Sequence, residues 1–202
     1  MYADPETQEE MKTDIILCGV GGQGILSIAT VIGEAATASG LHLKQAEVHG
    51  RSQRGGDVQS NLRLSTEPIW SDLIPKGQAD LIISMEPMEA LRYLPYLSAE
   101  GRVVTSSKPF VNIPDYPDLA VVTAELEALP KVSMLDIESV ALEHKVPRGA
   151  NMVLLGMTAP FLGILTPEAL REAVARVFAP KGEAVVEADL LAFDLGLQAS
   201  CK

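Results

Sequence analysis

The chain has 202 residues, 47% hydrophobic, 21% charged and 4% aromatic, with a net charge of −11 from 27 acidic against 16 basic side chains. This excludes a wholly disordered chain and suits one sizeable α/β domain rather than two. The acidity repels a phosphate backbone and argues against nucleic-acid binding; the small basic cluster Arg51–Arg54 does not reverse it.

Two isolated cysteines, Cys18 and Cys201, cannot hold an iron–sulfur cluster or a four-cysteine zinc site, nor do they suggest a secreted disulfide scaffold. The first residues carry Asp4, Glu6, Glu9 and Glu10, the opposite of a signal peptide. No apolar stretch approaches the roughly 18 residues of a membrane span. The expectation is an acidic, soluble, cytoplasmic protein, with residues 1–12 as a frayed tail and 13–202 as a single domain.

In chain order, Asp14–Cys18 reads as a short buried strand running into Gly19-Val20-Gly21-Gly22-Gln23-Gly24. Apolar positions then recur at helical spacing from Ile25 to Ser39, and Gly40 supplies the stop. Leu43–Val48 reads as the next strand, giving a βαβ unit with a right-handed crossover and a parallel strand pair. His49–Gly56 is polar and glycine-rich, hence a loop. Val58–Leu64 alternates imperfectly, which favours a strand with one wet face, and Pro68–Ser71 is its possible hairpin partner. Ala79–Met85 is a strand apolar on both faces, Pro87–Leu97 a helix and Gly101–Thr105 another buried strand. Ser106–Pro117, with three prolines, is a surface excursion. Val132–Ile137 is a strand, followed by a helix to about Lys145. Asn151–Leu165 is a buried helix, Thr166-Pro167 opens another, and Glu183–Leu197 closes the chain as the last. The pattern predicts a doubly wound, mainly parallel sheet with helices on both faces.

Gly19, Gly21 and Gly24 meet the spacing G-x-G-x-x-G after a strand and before a helix. This is a context in which backbone N–H groups, including those of Gly22 and Gln23, can approach a phosphate. The alternative is that the glycines only turn the chain. Glu47 stands roughly where a ribose-binding acid belongs, and could equally brace Arg51 or Arg54. The second cluster gathers His49, Ser52, Gln53, Arg54, Gly55 and Gly56 within ten residues of Glu47. Guanidiniums bind phosphate or carboxylate with a fork of donors, and paired glycines let backbone amides form an anion-binding nest. The alternative is a structural loop whose arginines pair with Glu47 and Asp57. His49 could act as a general base, but a neutral hydrogen-bonding role fits better, since no partner carboxylate is identifiable from the sequence.

His42, His49 and His144 are scattered, so no metal-ligand cluster is expected. No G-x-S-x-G elbow and no Walker lysine occur. The methionines of 85–88 and 152–157 read as core packing.

Together, GVGGQG at 19–24 and EVHGRSQRGG at 47–56 resemble the gamma-type subunit of the thiamine diphosphate-dependent 2-oxoacid:ferredoxin oxidoreductases, especially the small subunit of the indolepyruvate enzymes. IPKGQADLIISMEPMEALRYLPYL at 74–97 and NMVLLGM at 151–157 extend the resemblance over most of the chain. In that family the Arg51 position often carries an apolar or small residue, which puts the weight on Arg54. The resemblance implies a subunit of an enzyme that oxidatively decarboxylates a 2-oxoacid, passes electrons to ferredoxin and forms an acyl-coenzyme A. The thiamine diphosphate signature and the cluster-binding cysteine motifs do not occur here. The resemblance therefore implies that thiamine diphosphate, Mg and 4Fe–4S clusters sit on a large partner subunit, through which ferredoxin is reached. This chain would bind no cofactor alone and would shape the active site and the coenzyme A approach. Two alternatives are a stand-alone dinucleotide-binding oxidoreductase and a non-catalytic scaffold protein retaining the fold.

Overall fold

The computed structural model describes residues 10–49, 56–111 and 113–200. A six-stranded sheet runs in the order β2 (His42–His49), β3 (Asp57–Ser65), β1 (Lys12–Val20), β4 (Ala79–Ser84), β5 (Leu97–Ser106), β6 (Val132–Leu135). The β1–β4, β4–β5 and β5–β6 pairs are parallel, while β3 runs antiparallel to both β1 and β2. The mainly parallel, doubly wound expectation is met.

Alternation along the central strands decides which helices cover which face. Ile15, Leu17, Leu81, Ile83 and Val104 enter one core with α1 (Ile25–Ala38), α4 (Ile137–Glu143), α5 (Ala150–Thr158), α6 (Pro167–Phe178) and α7 (Glu183–Ser200). Ile16, Cys18, Ile82 and Val103 enter the other with α2 (Pro87–Arg92) and α3 (Leu119–Glu127). Strands buried on both faces read as unbroken apolar runs, which is why DIILC and ADLIIS are so legible. In α1, Ile25, Ile28, Ala29, Ile32, Ala35 and Ala36 form one buried stripe. Gly40, at φ 71°, ends the helix as Leu41 N–H reaches back to the Ala36 carbonyl at 3.0 Å. Thr166 caps α6 as expected, its hydroxyl accepting Ala169 N–H at 3.2 Å.

Several expectations need correction. β1 and β2 run in the same direction but are not neighbours, because β3 lies between them. The reason is burial: β3 carries Leu62 and Leu64 into the core, whereas β2 is exposed or half-buried from His42 to Val48 and takes the edge. Nor does β3 have a wet face. Gln59 and Asn61 are buried, and Asn61 Oδ1 accepts Ile74 N–H at 3.3 Å from the segment that crosses this face. That segment forms no strand at Pro68–Ser71. The helix from Pro87 stops at Arg92, Pro95 sits in a 3₁₀ turn, and Leu97 opens β5. The helix expected over Asn151–Leu165 ends at Thr158, where Pro160 lies in a further 3₁₀ turn. Helix α3, capped by Asp118, has no counterpart among the predicted elements.

Candidate functional site

β1 sends its crossover through α1 towards the β2 edge, and β4 sends its own through α2 towards β5. Between these two strands the winding reverses. Open α/β sheets bind ligands at that point, outside the carboxyl ends of the strands.

The glycine turn occupies it. A Cβ on Gly19 would come within 2.6 Å of Ile25 Cδ1 and 3.0 Å of Met85 Cβ, so only glycine lets the turn pack on the residue after β4. Gly24, at φ 86°, is the N-cap of α1; a Cβ there would meet Asn151 Nδ2 at 2.7 Å. That amide donates to the Gly24 carbonyl at 3.2 Å, joining α5 to the start of α1. The depth of α5 is set by Gly156 and Gly196, where any Cβ would strike the backbone of the facing α7 or α5. Gln23 braces the turn: Oε1 accepts Val20 N–H at 2.8 Å, and Nε2 donates to the Met85 carbonyl at 3.3 Å. Gly21 N–H donates to the Gly56 carbonyl at 2.9 Å, so the turn meets the start of β3 at the point where the second glycine-rich stretch ends.

The other predicted residues are placed unevenly. His49 ends β2 opposite Val58. Ser52, Gln53, Arg54 and Gly55 lie outside the described residues. Glu47 is exposed on the edge strand and accepts from Gln45 Nε2 at 2.9 Å. With β3 interposed it stands two strand spacings, roughly 10 Å, from β1, which is not the neighbouring-strand position of a ribose-binding acid.

An open cleft of about 450 Å³ lies beside the turn, lined by Gly22, Gln23, Gly24, Met85, Phe110, Glu138, Pro147, Arg148, Ala150 and Asn151. Arg148 is exposed and makes no ion pair or hydrogen bond with any described side chain, so its fork of donors is available to a ligand. Glu138, in the first turn of α4, accepts from the buried Ser106 hydroxyl at 3.0 Å. Burial pushes its carboxyl above the ordinary range. Near the end of β1, on the face covered by α2 and α3, Cys18 is fully buried with its thiol pKa driven up by burial, a packing group rather than a nucleophile.

Sequence reasoning missed Phe110, Glu138, Arg148 and Asn151. Only Asn151 had a signal, at the head of the NMVLLGM run. Among the described residues no three His, Cys, Asp or Glu side chains gather to hold a metal, so this part of the chain offers no donor set for an iron–sulfur cluster. No described helix is long and apolar enough to cross a membrane.

The fold and the position of the cleft are those of an open, doubly wound α/β domain with its crevice at the switch point of the sheet. The chain belongs to the pyruvate ferredoxin/flavodoxin oxidoreductase family, which residues 14–199 match. It is 36% identical over 196 residues to the indolepyruvate oxidoreductase subunit IorB of Pyrococcus horikoshii, covering 93% of this chain and 95% of that one. It is 29% identical to the 2-oxoglutarate synthase subunit KorC of Methanocaldococcus jannaschii, covering 94% of each. Among solved structures, the keto/oxoacid ferredoxin oxidoreductase gamma subunit of Geobacter sulfurreducens superposes with a TM-score of 0.68 at 25% identity, over 94% of this chain and 98% of that one. The expectation of a 2-oxoacid:ferredoxin oxidoreductase subunit is met.

Proposed function

We propose that the chain is the small subunit of a cytoplasmic ferredoxin oxidoreductase acting on indolepyruvate or another aryl pyruvate, and that it forms one wall of the active site against a large subunit. The likeness to an indolepyruvate oxidoreductase subunit across nearly the whole of both chains carries this reading. The large subunit holds thiamine diphosphate with Mg and the 4Fe–4S clusters, which supply the decarboxylation and electron-transfer chemistry. This chain's part is to bind and orient. The Gly19–Gly24 turn offers backbone donors at the start of α1, Arg148 offers a free guanidinium, and both face the cleft through which coenzyme A approaches.

Arg54, with Gly55 and Gly56, adds a second anion contact. The anchoring of Gly56 on Gly21 supports this placement beside the turn. Arg54→Ala is expected to weaken the apparent affinity for coenzyme A or the 2-oxoacid roughly 30-fold or more, with Arg54→Lys recovering only part.

The test of the whole reading is reconstitution. The purified chain alone is expected to show no 2-oxoacid oxidation. Mixed with its large subunit it should support ferredoxin reduction, with indolepyruvate preferred over 2-oxoglutarate. Turnover by the chain alone, or the reverse preference, would overturn it.

A further inference from the structure

Glu86 belongs to neither the glycine turn nor the arginine loop, yet its side chain is 1% exposed. It lies two residues past the end of β4, and Ser84 clamps its backbone: the hydroxyl donates to the Glu86 carbonyl at 2.6 Å and accepts its N–H at 3.2 Å. The two carboxylate oxygens have different tasks. Oε2 accepts Glu89 N–H at 2.8 Å and caps α2. Oε1 accepts Phe110 N–H at 3.3 Å and the Tyr116 hydroxyl. Phe110 and Tyr116 lie on the two described arms of the excursion after β5, residues 107–111 and 113–118. One oxygen thus pins both arms near the end of β4, while Phe110 lines the cleft that Met85 also lines.

A helix cap alone needs one acceptor. Here the second oxygen reaches groups 24 and 30 residues away. We infer that Glu86 is a positioning residue which, with Tyr116, fixes Phe110 as a preset apolar wall of the cleft that Arg148 also lines. A wall held in place before binding removes an ordering cost that the ligand would otherwise meet. The inference rests on the cleft being the coenzyme A approach.

Tyr116→Phe is the discriminating variant, because it removes one hydroxyl while leaving the ring and the α2 cap. In the reconstituted complex it should raise KM for coenzyme A about three- to tenfold, the factor one hydrogen bond is worth. Turnover should stay within about twofold, the signature of lost binding rather than lost chemistry. Chymotryptic cleavage after Phe110 should be faster in the variant and slowed by saturating coenzyme A. In a Phe110→Ala background the same substitution should add nothing. Unchanged cleavage and KM would overturn the inference, and so would faster cleavage with unchanged KM. Arg148→Ala, measured alongside, separates the two failures. If it raises KM and Tyr116→Phe does not, only the positioning role falls; if neither does, the cleft reading falls with it.

Discussion

A guanidinium sits near each end of the sheet, and their surroundings are opposite. Near the amino end, Arg63 grips the buried Asp14 with Nε at 2.7 Å and Nη2 at 3.1 Å, and its Nη1 donates to the carbonyls of Ser71 and Leu73 at 3.0 and 3.2 Å. Lys12 adds a further contact to Asp14 at 3.0 Å. At the carboxyl end, Arg148 stands on a cleft with its donors uncommitted among the described residues. A saturated fork holds the fold together and has nothing left for a ligand. An unsaturated one beside a glycine turn contributes little to folding and is available for binding. Charge alone therefore does not mark a site; spare hydrogen-bonding capacity does.

The largest effect should come from breaking the saturated end. Asp14→Ala leaves a largely buried guanidinium without its counter-ion, a change that costs about 3–5 kcal/mol. Urea denaturation of the purified chain reads this directly, and the complexes that do fold should keep their KM values. A loss below about 1 kcal/mol, the range of a surface ion pair, would remove the structural role assigned to that end.

Arg148→Ala should do the reverse. Stability should stay within about 0.5 kcal/mol, as for a surface substitution. The KM for coenzyme A should rise about tenfold or more, the factor lost with a charged hydrogen bond. A fall in stability with unchanged KM would erase the contrast between the ends.

The smallest effect sharpens the comparison with a buried charge at neither end. Asp189, on α7, is buried, and burial raises its pKa, with Lys181 offsetting only in part. A raised carboxyl pKa means that the folded state binds its proton more tightly, so stability falls as pH rises from the ordinary carboxylate range through the folded pKa. Asp189→Asn should therefore match the parent at acidic pH, where both states are protonated, and exceed it at neutral pH. The gain should be a few degrees in Tm, at about 2–4 °C per kcal/mol for a chain of this size. An equal difference at both pH values would show that packing, not ionisation, is responsible.

The sequence by itself determined the elements whose signal is local. DIILC and ADLIIS announce strands covered on both faces, the stripe from Ile25 to Ala36 announces α1, and Gly40 and Thr166-Pro167 mark a helix stop and start. The glycine turn was legible for the same reason, since its demand is conformational and falls on consecutive residues. Tertiary structure alone decided which strands are neighbours and which polar groups are free. A period-two pattern tells which face of a strand is buried but not beside which strand it lies, so β3 between β1 and β2 could not be read from Val58–Leu64. The same limit hid the site: Asn151 meets Gly24 across 127 positions, and Phe110 and Tyr116 meet Glu86 across 24 and 30. Whether a carboxylate caps, clamps or binds depends on partners brought together by packing, and no local pattern encodes those partners.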